Sequence, residues 1–109
     1  METNRTLEIL KTYNSAQKNH WQLMCDLSNN DYDIHYFDGR QSANIALDEF
    51  LQELEVFDID KILEFLVNNF EEYSQKQVKI YKENNCFNEY YRGYVIEMEL
   101  LIKIVKQEY

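Results

Sequence analysis

The chain contains no proline and only two glycines, Gly39 and Gly93. Without proline, nothing breaks a helix from within. With two isolated glycines, neither a flexible linker nor a phosphate-cradling loop of the GxGxxG or P-loop type can be built. Cysteine is equally sparse. Cys25 and Cys86 stand far apart with no CxxC spacing, which gives no disulfide framework and predicts two buried packing thiols. No window approaches the roughly 18 apolar residues of a membrane span. The start, Met1 to Arg5, lacks an apolar run behind a basic stretch, so a signal peptide is not expected. A cytoplasmic protein without membrane contact is the expectation.

What is present is a core. Hydrophobic residues make up 45% of the 109 residues and aromatics 15%, enough for one folded domain spanning 1–109. The net charge of −9 is distributed unevenly. Residues 26–72 hold thirteen acids against Arg40 and Lys61, whereas the flanking segments are each close to neutral.

Apolar periodicity predicts mostly helix. Leu7, Leu10, Tyr13, Trp21, Met24 and Leu27 fall at helical steps around a polar gap at 14–20, and Ser28-Asn29-Asn30 ends the run. Tyr32, Ile34 and Tyr36 alternate with Asp31, Asp33 and His35 and read as a short strand. Asp38-Gly39 is a hairpin-type turn, so a β-hairpin or an ordered loop is expected near 31–45. Ser42 is the predicted N-cap of a helix through Leu47, Phe50, Leu51 and Leu54. Asp58 is the predicted N-cap of the next helix, with Phe57 and Ile62 as a hydrophobic staple. That helix runs to about Glu83 and is broken by Asn84-Asn85. The last helix carries Phe87, Tyr91, Tyr94, Met98, Leu101 and Val105 in an a/d pattern. The fold class is mainly α, a small antiparallel bundle of about four helices.

Catalytic and metal chemistry find little support. An EF-hand started at Asp31 meets Tyr36 where glycine is needed and Ser42 where glutamate is needed, and a start at Asp58 fails as well. His20, Cys25, His35 and Cys86 lack zinc-ligand spacing, and no nucleophile motif lies near either histidine. Paired carboxylates are too frequent to mark a substrate groove. No enzyme activity, cofactor or metal is expected.

Two features remain. Tyr90-Tyr91-Arg92-Gly93-Tyr94 concentrates interface-prone residue types, with Tyr90 and Arg92 off the core stripe. Gly93 costs about 1 kcal/mol relative to alanine in a helix, which suggests close approach of a neighbouring helix or a local kink. The acidic middle is the stronger feature. Helix dipoles favour a few of its acids, and Glu72 with Lys76 forms a well-oriented i,i+4 pair. Eleven excess charges exceed that. They read either as a solvated face or as a surface shaped to meet a basic groove.

In size, acidity, Asn/Lys/Tyr-rich composition and lack of a catalytic motif, the chain resembles small inhibitors carried by phages and mobile elements, namely anti-CRISPR and anti-restriction proteins of the DNA-mimic type. The Tyr90–Tyr94 segment also looks like the end helices of many phage proteins. The resemblance implies a helical inhibitor in the host cytoplasm. Such an inhibitor binds no nucleic acid itself but occupies the basic nucleic-acid groove of a nuclease or CRISPR effector. The contacts expected from the acidic segment are Asp31, Asp33, Asp38, Asp48, Glu49, Glu53, Glu55, Asp60, Glu64, Glu71 and Glu72, with Tyr32, Tyr36 and Arg40 adding specificity. The alternatives are an immunity protein for a basic toxin nuclease, or a helical homodimer paired through the final a/d stripe.

Overall fold

The computed structural model describes residues 2–107, and they form four helices with no strand among them. These are α1 (Glu2–Leu27), α2 (Asp31–Glu53), α3 (Ile59–Asn84) and α4 (Glu89–Val105). The starts of α2, α3 and α4 are each capped by a side chain that satisfies otherwise unpaired amides. Asn30 accepts from the amides of Tyr32 and Asp33, Asp58 from those of Asp60 and Lys61, and Asn88 from that of Tyr91. The α3 helix ends where Asn85 turns left-handed at φ 55° and donates its amide to the Tyr81 carbonyl, a conformation asparagine tolerates well. Phe57 is half-buried against the core, and Ile62 is fully buried within it.

The expected β-hairpin near 31–45 is absent, because this segment is the first two-thirds of α2. Asn30 caps the helix, and Asp31 and Asp33 then sit in its first turn, where the dipole favours negative charge. On the helix Tyr32 and Tyr36 lie one turn apart on the same side with Ile34 opposite them; Tyr32, in the first turn, is exposed, while Ile34 and Tyr36 are half-buried. Ser42, the expected N-cap, is eleven residues inside the helix.

α1 and α2 run antiparallel, with Asn14 bonded to Asn44 and Cys25 near Ile34, and so do α3 and α4, with Tyr94 bonded to Asn69 and Gln77 to Asn88, giving two helical hairpins. The largest interface is between α2 and α4, which run parallel, while α1 packs chiefly on α2 and α3 chiefly on α4. Both glycines lie in this inner seam. A Cβ on Gly39 would come 1.9 Å from the Tyr90 carbonyl oxygen, and one on Gly93 would come 2.1 Å from the Tyr36 carbonyl oxygen. Two helix backbones therefore touch at a spacing that no larger residue permits. Gly93 thus answers to close approach, and Gly39 is a packing residue of a helix, not a turn former.

The core gathers Leu10 from α1, Ala43 and Leu47 from α2, Ile62 and Leu66 from α3, and Tyr94, Met98, Leu101, Ile104 and Val105 from α4. Most of the predicted last-helix stripe is thus used inside the chain. Phe87 departs from it, lying before α4 and 55% exposed; Leu27 is likewise exposed. Cys86 is exposed and Cys25 half-buried, so the expectation of two buried thiols is not met. No helix among the described residues is long and apolar enough to cross a membrane.

Candidate functional site

The charged residues of the acidic segment separate into an inner set and an outer set. Arg40, predicted as a surface contact, points inward from α2 and is 8% exposed. Its Nε and Nη2 both reach Glu97 Oε1 at 2.7 Å, Nη1 donates to Tyr36 Oη at 2.7 Å, and the guanidinium lies 4.3 Å from the Trp21 ring centroid. Burial is the largest single influence on the Arg40 pKa and lowers it, but the charge and hydrogen bonds of Glu97 and Tyr36 together outweigh burial, so the net shift is upward. Glu97 is fully buried and takes a further hydrogen bond from Asn44 Nδ2 at 2.9 Å.

The inner set continues across α1. Asn44 Nδ2 also donates to Asn14 Oδ1 at 2.8 Å, and Asn14 Nδ2 donates to the Asn44 carbonyl and to Asp48 Oδ1. Asp48 closes the chain by pairing with Lys18. The Tyr13 phenol is pushed up to about 12 by burial first and by the Glu97 carboxylate second. Asn14 and Lys18 lie in the polar gap at 14–20, which in the sequence weakens α1. Through these two residues the gap joins a polar seam between α1, α2 and α4, with Asn14 buried and Lys18 at its edge, while Ser15, Ala16, Asn19 and His20 are exposed. Thus Arg40, Tyr36 and Asp48 are internal connections, and the structure does not place them with the exposed acids.

The outer set divides further. Asp31, Tyr32, Asp33 and Asp38 are exposed on the N-terminal part of α2, and Glu53 lies about 33 Å along the same helix from Asp31. Glu71 and Glu72 are exposed near the middle of α3. Lys76 does not close the expected pair with Glu72; its Nζ sits 4.5 Å from the Tyr73 ring centroid instead.

The densest group surrounds the α2–α3 connection. Glu49 and Glu53 from the end of α2, Glu55 from the loop, and Asp60 and Glu64 from the start of α3 are all exposed. None of these five forms an ion pair among the described residues, where Lys18, Arg40, Arg92 and Lys103 are the bases that do. The loop forms a shallow concavity lined by Glu53, Glu55, Val56, Asp58 and Lys61, and Val56 is 77% exposed within it. Leu54, Phe57 and Ile59 line it as well, and an exposed apolar side chain among charged neighbours suits a contact patch. Sequence reasoning named the acids but missed Val56, whose exposure depends on where the loop turns.

Among the described residues, no three His, Cys, Asp or Glu side chains converge to hold a metal ion. Compared with known proteins, the chain matches no family model, no curated protein and no solved structure.

Proposed function

We propose that this protein works by binding a basic protein partner through the α2–α3 end of the bundle, inhibiting a nuclease or CRISPR effector by occupying its nucleic-acid groove. The observation that carries the reading is the group Glu49, Glu53, Glu55, Asp60 and Glu64, exposed around one turn and free of ion pairs among the described residues. Like charges at i,i+4 spacing, as in Glu49/Glu53 and Asp60/Glu64, repel and lower helix stability slightly. A function for the charge outside the chain gives a reason to keep them. Because α3 rises 1.5 Å per residue, Asp60 to Glu72 extends the negative surface by about 18 Å, against one phosphate charge per about 1.7 Å of duplex.

Affinity capture from host lysate, followed by mass spectrometry and a DNA-binding assay of the captured protein, tests the reading. The expected result is a nucleic-acid-binding enzyme that loses its DNA when the chain is added, with capture falling steeply as salt rises. Recovery of metabolic enzymes alone would sink it. Recovery of a single cognate toxin nuclease that does not lose its DNA would place the protein among immunity proteins instead.

A further inference from the structure

The buried face of α4 is Gly93, Tyr94, Glu97, Met98, Leu101, Ile104 and Val105. Its opposite face carries a second stripe, Glu89, Arg92, Ile96, Glu99 and Lys103, at steps of 3, 4, 3 and 4 residues. Arg92, Glu99 and Lys103 are exposed and Glu89 and Ile96 partly so. Arg92 also lies over the Tyr36 ring of α2, 4.3 Å from its centroid, while Glu99 and Lys103 stand open. Beside it runs a groove between α3 and α4, lined by Ser74, Gln77, Phe87, Arg92, Val95 and Ile96, whose surface is almost entirely apolar.

The order of charges is negative, positive, apolar, negative, positive. Reversed end to end, it becomes positive, negative, apolar, positive, negative. The stripe is therefore complementary to itself when two copies lie antiparallel with Ile96 on the two-fold axis. Arg92 then faces Glu99 of the second copy, Glu89 faces Lys103, and Ile96 meets Ile96 with Val95 beside it. An isologous interface demands this self-complementarity, whereas a foreign partner does not. Spacing of 3 and 4 keeps the residues on one seam, as in an antiparallel coiled coil.

Within one chain the same charges already form two local pairs, Arg92–Glu89 at 2.9 Å and Lys103–Glu99 at 3.7 Å. Such pairs account for the charges but not for a partly exposed isoleucine midway between them, next to an apolar groove. We infer that the outer face of α4 is a homodimer interface, antiparallel about Ile96 and closed by Arg92–Glu99 and Glu89–Lys103 pairs between the two copies. It is distinct from pairing through the inner a/d stripe, which the core already occupies. One helix face is a small contact, so the dimer is weak and concentration-dependent.

Light scattering coupled to size exclusion, over a roughly hundredfold concentration range, reads the association by mass action. Wild type is expected to pass from monomer to dimer. Arg92→Glu alone sets the new carboxylate against that of Glu99 at both ends of the seam. Glu99→Arg alone sets two guanidinium groups against each other at the same places. Each single variant is expected to remain monomeric. Mixed in equal amounts, the two variants satisfy both cross-pairs and are expected to form a heterodimer. Ile96→Glu is expected to be monomeric alone and in every mixture. Circular dichroism is expected to show unchanged helix content in all three. A wild type that stays monomeric throughout, a single variant that dimerises like wild type, or a mixture that stays monomeric would each overturn the inference. None of these readouts involves the acidic α2–α3 turn or its partner, so failure here leaves the proposed function standing, and the reverse.

Discussion

The inner seam and the α2–α3 turn use the same residue types to opposite ends. In the seam, Arg40, Glu97, Asn44, Asn14, Asp48 and Lys18 form a continuous chain of contacts under two helix backbones that touch at Gly39 and Gly93. At the turn, five carboxylates face water with no base paired to them among the described residues. A buried ion pair contributes modestly to net stability compared with an apolar replacement, yet losing one partner leaves an uncompensated charge in the interior. Exposed charge has small consequences either way for the fold. The seam therefore governs whether the chain folds, and the turn is free to serve another purpose. The comparison also sharpens the electrostatics. Of the two bases in residues 26–72, Arg40 is turned inward, so Lys61 is the exposed cation of that segment and its surface is more negative than the composition suggests.

The largest effect is expected from separating the buried pair. Glu97→Ala strands Arg40 and removes an acceptor from Asn44, and should cost about 3–5 kcal/mol in urea denaturation. Replacing both partners, Arg40→Met with Glu97→Met, should recover a substantial part of the loss. A double variant as unstable as the single would mean that packing, and not unpaired charge, dominates the seam. Next come the glycines. Alanine at position 39 or 93 should gain about 1 kcal/mol of helix propensity. Its Cβ would meet a carbonyl oxygen of the facing helix, so the net result should be a loss of about 1–3 kcal/mol as α2 and α4 are forced apart. If either substitution is stabilising, the helices are not held at backbone contact.

A smaller effect depends on pH. The Tyr13 phenol is raised from 10.0 to about 12 in the folded chain, chiefly by burial and then by Glu97. A raised folded pKa favours the neutral form in the native state. The stability it supplies is complete below pH 10 and is lost as pH climbs from 10 towards 12. Tyr13→Phe should therefore flatten the alkaline decline of the urea midpoint, leaving the share due to Tyr73 and Tyr94, which burial raises in the same direction. Identical slopes for the two proteins would detach Tyr13 from the pair.

The seam is the part least legible in the sequence, for physical reasons. The elements that can be read there are those signalled locally, namely the Asp58 cap, the break at Asn84-Asn85 and the stripe from Tyr94 to Val105. Each depends on neighbours within a turn or two. The α2 helix is masked because period-two alternation over five residues and an Asp-Gly pair outweigh a cap at Asn30 that binds only when the helix exists. Gly39 and Arg40 have no local reason to be what they are; their reasons are Tyr90 and Glu97, more than fifty residues away in the chain. The polar gap in α1 misleads for the same cause, since Asn14 and Lys18 find partners only on α2. The acids of the α2–α3 turn are visible at once, because adjacency along the chain brings them together.

The smallest effect on the fold should accompany the largest effect on binding. Neutralising Glu49, Glu53, Asp60 and Glu64 to their amides removes charge from exposed positions and relieves two like-charge i,i+4 pairs. Asp60 gives up a favourable place in the first turn of α3, a partial offset. The melting temperature should stay within about 2 °C of wild type. If the turn is the docking surface, partner capture should nonetheless fall by an order of magnitude or more and lose most of its salt dependence. Substituting Val56 with Ser should weaken capture with little change in salt dependence, because it removes the exposed apolar side chain and keeps the charges. Acid neutralisation that melts the bundle would show that the turn is structural and erase its contrast with the seam. Capture that survives both changes would leave the carboxylates as a solvated face and move the search for the partner site elsewhere on the chain.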